Sequence, residues 1–254
     1  HFDGDRFTTL TATGGRSHQV ARSVFQDSSG IWFGTAQNGL SLLTADMTIK
    51  PAAQSELQRG SVTSMATDDR GRMWLGTYRG LRVTDGQAVQ LLLREDGLAS
   101  DVILDVEVDP EGNVWVATQG GVTKYIPGTE SPHVRMTRIV TDGEYEPVES
   151  FDLPSSQRYI AFEFAGTSSR TPESRLSYRY RLTGHDSTWN YSSTPRADYA
   201  NLSRGTYRFE VQAIDRDLNY SETPATVQIH VHLPYESIAL WSLLGLAIVG
   251  LVLQ

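Results

Sequence analysis

The sequence of 254 residues contains no cysteine. That excludes disulfide bonds, cysteine nucleophiles and thiolate metal sites, and it leaves the redox compartment open. No run of Lys or Arg occurs, and the formal net charge is −8. The basic footprint that holds nucleic acid is therefore missing. There is no Gly-rich phosphate loop, no Gly-x-Ser-x-Gly elbow and no His-Glu-x-x-His, so phosphate-, acyl- and zinc-based chemistries have no motif to rest on. Long apolar runs are absent apart from one near the C-terminus. The first residue is His1, with no Met and no signal peptide ahead of it.

What is present is a repeat. Asp109-Pro-Glu-Gly-Asn-Val-Trp-Val-Ala-Thr-Gln-Gly-Gly-Val (109–122) matches Asp68-Asp-Arg-Gly-Arg-Met-Trp-Leu-Gly-Thr-Tyr-Arg-Gly-Leu (68–81). One residue shorter before the tryptophan, it returns as Asp27-Ser-Ser-Gly-Ile-Trp-Phe-Gly-Thr-Ala-Gln-Asn-Gly-Leu (27–40). The aspartates stand 41 apart, and so do the glycines at 30, 71 and 112. A period near 40 residues, built from short strands and Gly turns, is the pattern of a β-propeller blade. Blades are expected near 20–60, 61–101 and 102–140, within a partial propeller over 1–140. Asp3-Gly4 resembles Asp85-Gly86, two periods later, so residues 1–19 read as the end of a preceding blade and the chain as part of a longer protein. Three blades form an open arc, not a ring.

Trp32, Trp74 and Trp115 occupy one strand position in each repeat. Sugar stacking is one reading; packing between blades is the better one for a residue fixed by the repeat. Ligand contacts are expected instead in the variable turn after that strand, which carries Gln37, Asn38, Tyr78, Arg79 and Gln119.

Residues 141–150 are acidic, turn-rich and off the period, and read as a linker. Over 151–235 the pattern becomes two-faced: Tyr178, Tyr180 and Leu182 share one side of a strand, and Tyr207, Phe209 and Val211 share another. That alternation predicts an antiparallel, immunoglobulin-like sandwich. Tyr178, Tyr180, Tyr199 and Tyr207 read as its core and its hydroxyl-anchored corners rather than as a ligand platform. Residues 237–254 carry no charge, follow a finished β domain, and read as a transmembrane helix with Tyr235 and Trp241 at the interface. The fold class expected is all-β, with that helix appended.

No metal site or cofactor is expected. Asp215-Arg-Asp217-Leu-Asn219 opens like a calcium loop, but Tyr220 stands where the turn glycine belongs and Thr226 where a bidentate Glu is needed, so it reads as a polar hairpin turn. His230 and His232 share a strand face without a third ligand nearby. The pairs Asp68-Asp69 and Glu95-Asp96 read as solvated turn carboxylates.

These residues resemble known families. The Asp-x-x-Gly turn, Trp-Phe-Gly-Thr (32–35), Trp-Leu-Gly-Thr (74–77) and the Gly-Leu turns resemble the two-component regulator propeller repeat; Trp-Val-Ala-Thr (115–118) departs from it at Ala117. Asp96-Gly97-Leu98-Ala99-Ser100-Asp101-Val102 looks like its inter-blade loop. Tyr178-Arg-Tyr-Arg-Leu-x-Gly184, Trp189, Tyr199-x-Asn201-Leu202, Gly205-x-Tyr207 and Phe209-x-Val-x-Ala213 resemble the triple-tyrosine module that follows such propellers. The resemblance implies the periplasmic sensor region of a single-pass inner-membrane receptor, with residues 1–235 periplasmic and a homodimer in the full-length protein. It also implies a small ligand, an oligosaccharide in gut-bacterial members, and a cytoplasmic histidine kinase as output. Alternatives are a diguanylate cyclase output, or a membrane-anchored carbohydrate-active or adhesion protein. No catalytic constellation is visible in these residues themselves.

Overall fold

The computed structural model describes Asp5, residues 20–46 and residues 48–235. The described chain is all-β and forms two compact units. The first comprises the chain up to Thr129 together with Arg216–Leu218; the second comprises Glu130–Asp215 and the chain from Asn219. The apolar run at 237–254 lies outside the described residues. Among the described residues, no helix is long and apolar enough to cross a membrane.

The first unit is a row of antiparallel sheets. Blade 1 holds β1 (Ala21–Asp27), β2 (Gly30–Thr35), β3 (Leu40–Leu43) and β4 (Ile49–Pro51), paired in that order. Blade 2 repeats it with β5 (Val62–Thr67), β6 (Met73–Thr77), β7 (Gly80–Thr84) and β8 (Val89–Leu92). Blade 3 has β9 (Ile103–Val108), β10 (Val114–Thr118) and β11 (Gly121–Tyr125), and its sheet is three-stranded. Each first strand carries a register shift at the same place: Ala21/Ser23 and Val62/Ser64 in the first two blades, and opposite Ala117/Thr118 in the third. Such bulges tighten the local twist.

Blades 1 and 2 share an apolar seam of Leu40, Ala52, Leu57, Val62, Met73 and Leu75, with Phe25, Trp32 and Met65 against it. Close approach requires glycine here. A Cβ built on Gly34 would stand 2.7 Å from Val62 Cγ1, and one on Gly76 would stand 3.0 Å from Ile103 Cγ2. Oxygen contacts reinforce the stack: Ser23 Oγ donates to the Val62 carbonyl at 3.4 Å, and Thr63 Oγ1 to the Ile103 carbonyl at 3.0 Å.

The second unit holds β12 (His133–Val140), β13 (Glu144–Tyr145), β14 (Ser150–Pro154), β15 (Tyr159–Thr167), β16 (Ser177–Thr183), β17 (Asn190–Ser192), β18 (Arg196–Ala200), β19 (Gly205–Ile214) and β20 (Ala225–His232). One sheet runs β13-β12-β15-β18, the other β14-β20-β19-β16-β17. All pairings are antiparallel except β14 with β20. The core between the sheets is aromatic: Phe162 stacks on Phe209 at 4.1 Å, and Phe164 meets Tyr178 edge-on at 4.9 Å. Such pairs add about 0.5–1.5 kcal/mol each beyond their buried area.

This differs from the boundaries expected from sequence. Residues 133–140 do not complete blade 3. They form β12, which pairs with β15 from His133↔Thr167 to Val140↔Ala161, and Ile139 is buried in the sandwich core. The expected linker at 141–150 contains β13 and the start of β14. The blade period weakens after Tyr125, and the alternation of His133–Val140 fits either unit; the strand partner decides it.

Candidate functional site

The repeat motif builds a hydrogen-bonded lock at one end of each blade. In blade 2, Asp68 Oδ1 accepts from the amides of Arg70 and Arg72, both at 3.0 Å, while Oδ2 accepts from the Trp74 indole at 2.9 Å. Asp27 takes the Trp32 indole at 2.8 Å, and Asp109 takes the Trp115 indole at 2.8 Å. The spacing from Asp to Trp in the motif is thus the reach of one carboxylate across one turn. Gly71 and Gly112 turn the chain at φ of 75° and 80°, the left-handed region that β-substituted residues avoid. Burial alone would raise the Asp27 and Asp109 carboxyls. The hydrogen bonds outweigh it, holding Asp27 below the ordinary carboxylate range and Asp109 at about 2.

Asp68 corrects the expectation of a solvated carboxylate. Its side chain is fully buried and paired with Arg72 Nε at 2.7 Å. Asp96 is also buried at the side chain: it accepts from the Leu93 amide at 2.8 Å and from Arg216 Nη1 at 3.2 Å. Asp69 and Glu95 are exposed. Turn residues look alike in sequence whether their carboxylates point outward or cap a backbone.

At the other end of each motif the buried threonine fixes the candidate ligand loop. Thr35, Thr77 and Thr118 hydroxyls donate to the carbonyls of Gly39, Gly80 and Gly121 at 3.0, 2.7 and 2.9 Å. The same oxygens accept from the amides of Asn38, Arg79 and Gly120. The loops therefore occupy one equivalent position in three blades. Gln37, Tyr78, Arg79 and Gln119 are exposed there, and Asn38 is half-buried. Tyr78 has a partner that the sequence reading missed: Arg22 Nη1 donates to its hydroxyl at 3.0 Å, with the guanidinium 5.5 Å from its ring centroid. Arg22 is the bulged residue of β1, and nothing in the repeat singles it out. An exposed aromatic ring, two guanidinium groups and side-chain amides offer a stacking face and several hydrogen-bond donors to a ligand.

The Asp215–Asn219 segment is a turn of the same design as Asp109–Asn113. Asp215 N donates to the Asn219 carbonyl, as Asp109 N does to that of Asn113. Asn219 returns its amide to Asp215 Oδ1 at 2.8 Å and its Nδ2 to Oδ2 at 3.0 Å. Leu218 takes the glycine's place at φ 58°. The turn is buried rather than surface-polar: Asp215, Asp217 and Asn219 are 1%, 0% and 4% exposed. Within the first unit, Tyr125 Oη and Gly128 N donate to the Asp217 carboxylate, and Arg72 Nη1 donates to its carbonyl at 2.6 Å. Protein donors occupy the oxygens that a calcium ion would need. Among the described residues no cluster of three or more His, Asp or Glu could hold a metal.

In the sandwich, Tyr178 is buried and accepts from the Gly166 amide at 3.1 Å. Tyr199 donates to Asp186 at 2.6 Å, and Tyr207 to the Ser203 carbonyl at 2.8 Å. Burial raises the Tyr178 and Tyr180 phenols; for Tyr199, burial and then Asp186 do so. Trp189 lies against Arg179 and Arg181, at 4.7 and 4.6 Å from the guanidinium carbons. His230 meets Thr206, and the His232 ring stacks on Tyr235. A cleft of about 530 Å³ in the same unit, unmarked in sequence, is lined by Glu130, His133, Ser168, Ser169 and Glu222 among others. Ser169 Oγ already donates to Glu130 there at 2.6 Å.

Comparison with known families follows this division. The family described as "Two component regulator propeller" matches residues 56–79 and 97–120, and the family described as "Y_Y_Y domain" matches 170–232. The chain carries two-component regulator propeller repeats followed by a Y_Y_Y domain. A comparison with curated proteins returns no match. Among solved structures, one described as the extracellular domain of a hybrid two-component system from B. thetaiotaomicron is similar, with 19% identity and a TM-score of 0.39. That similarity covers 87% of this chain and 39% of the other, so the chain spans about two fifths of that structure's length. Another extracellular domain of such a system from the same organism gives 19% identity and a TM-score of 0.37, covering 88% of this chain and 32% of the other. Fibronectin(III)-like modules of Clostridium thermocellum CbhA give 18% identity and a TM-score of 0.27, covering 40% of this chain and 98% of the other.

Proposed function

We propose that the chain is the periplasmic ligand-sensing region of a single-pass inner-membrane receptor. The propeller loops take the ligand, the Y_Y_Y sandwich relays the change, and the apolar run at 237–254 carries it to a cytoplasmic histidine kinase. The observation that carries this reading is the order of the matched families, regulator propeller and then Y_Y_Y domain, on one chain. The ligand is small and hydroxyl-rich, of the oligosaccharide class, and it contacts Gln37, Asn38, Tyr78, Arg79 and Gln119. The receptor works as a homodimer whose two arrangements differ in ligand affinity, since only differential binding shifts such an equilibrium.

The test uses the full-length receptor in membrane vesicles, with phosphoryl transfer followed as oligosaccharide mixtures are added. A responsive fraction should lose its effect, by tenfold or so in the concentration required, with Tyr78→Ala or Arg79→Ala. An unchanged response in both variants would remove the loops from the site. Turnover of the sugar without phosphoryl transfer would replace the receptor reading with an enzymatic one.

A further inference from the structure

Blade 2 lies between blades 1 and 3, so what its loop exposes does not depend on a further blade. Tyr78 is 44% exposed there, and Arg79 is exposed beside it. Arg22 reaches across from blade 1 and donates to the Tyr78 hydroxyl at 3.0 Å. From β7, Arg82 Nη1 donates to the carbonyls of Glu56 at 2.8 Å and Arg59 at 3.4 Å. Burial holds the Arg82 guanidinium below its ordinary range; of its charged neighbours, Glu56 opposes that and Arg79 adds to it. Arg79 and Arg82 are therefore like charges close enough to repel.

Arginines elsewhere in the chain hold carboxylates: Arg72, Arg181, Arg196 and Arg216 do so at 2.7, 2.6, 2.7 and 3.2 Å. Among the described residues no carboxylate forms an ion pair with Arg22 or Arg79. The loops at this end of the blades, 36–39, 78–79 and 119–120, contain no Asp or Glu. The turns at the other end carry Asp27, Asp46, Asp68, Asp85 and Asp109. Carboxylates beside the loop are already engaged. Asp101, whose carbonyl accepts from the Gly80 amide at 2.7 Å, takes the Arg94 amide on its side chain at 2.6 Å. Glu56 takes the Ser55 hydroxyl at 3.2 Å.

We propose that the blade 2 loop is an anion subsite, in which Arg22 and Arg79 take a carboxylate or sulfate group carried by a saccharide seated against Tyr78. It rests on the loops being the ligand site, and it narrows the ligand to an acidic saccharide. A guanidinium offers a planar fork of donors that fits either anion in a bidentate way, and such charge-assisted bonds are stronger than neutral ones. The Tyr78 hydroxyl engages one N–H of Arg22, which orients the group and leaves its other donors for the ligand. A bound anion also relieves the repulsion between Arg79 and Arg82. The chain as a whole carries a net charge of −8, so its overall field repels anions and the attraction is confined to this cluster.

The first test uses the unaltered chain in detergent micelles, with inorganic sulfate as the probe. Phenylglyoxal, which modifies guanidinium groups, is added in sulfate or in chloride of equal ionic strength, and each arginine is followed by mass spectrometry. Sulfate should slow modification of Arg22 and Arg79 by about threefold or more relative to the exposed Arg135. Equal rates in the two salts at both positions overturn the proposal. The second test divides the oligosaccharide mixtures offered to the full-length receptor on an anion exchanger. The activity that triggers phosphoryl transfer should be in the retained, acidic fraction. Methyl esterification or desulfation of that fraction should raise the concentration required by about tenfold, and Arg79→Gln should remove the difference. Activity confined to the unretained, neutral fraction overturns the anion subsite and leaves the receptor reading standing. Sulfate protection with no saccharide active in either fraction does the reverse: the subsite holds and the saccharide reading of the ligand falls.

Discussion

Blades 2 and 3 carry the same lock in different surroundings. Trp74 and Trp115 both donate to the aspartate of their own turn, at 2.9 and 2.8 Å, yet one is 0% and the other 40% exposed. Asp68 is joined by the buried Arg72, whereas Asp109 is joined by Asn113, whose Nδ2 reaches both its oxygens. The motif therefore sets the local geometry of the turn and leaves its energetic weight to the neighbours. A hydrogen bond closed inside a dry stack cannot be replaced by water when it breaks; one at a wet face can.

The largest expected separation between the two blades comes from the carboxylates. Asp68→Ala strands the Arg72 guanidinium in a buried site and should destabilise the chain by about 3–5 kcal/mol. Asp109→Ala should cost far less, because water can replace the hydrogen bonds lost at an exposed carboxylate. Denaturant unfolding of the two variants checks this, and equal losses would mean that Asp109 is as enclosed as Asp68. Next come the tryptophans. Trp74→Ala empties a packed site and should cost about 3–5 kcal/mol, and Trp115→Ala should cost well under half of that. The smallest effect is in acid. With Asp109 held at about 2 against an unfolded value of 3.8, its contribution is complete above pH 3.8 and fades as pH falls from there toward 2. The difference in stability between wild type and Asp109→Asn should close over that window; a gap that persists below pH 2 would place the stabilisation elsewhere.

Much of this was legible in the sequence because it is periodic or local. The 41-residue spacing of aspartates and glycines gives the blades, since each turn must repeat for its strands to stack. The alternation in Tyr178–Leu182 and Tyr207–Val211 gives the sandwich strands, because a strand between a core and water must alternate. The equivalent loops holding Gln37, Asn38, Tyr78, Arg79 and Gln119 follow from the same period. Arg22 could not be read this way, because its partner Tyr78 lies 56 residues further along the chain.

By itself the sequence determined the repeat, the turn chemistry, the order of the units and the lack of cysteine chemistry. Each depends on residues close in the chain or on a fixed spacing. Tertiary structure alone decided that His133–Val140 joins the sandwich, because pairing with β15 is long-range. It also decided that Asp68, Asp96 and Asp217 are enclosed while Asp69 and Glu95 face water, because burial belongs to the neighbours a turn meets and not to the turn. The same holds for one tryptophan motif sealed in blade 2 and open in blade 3: identical bonds, different company.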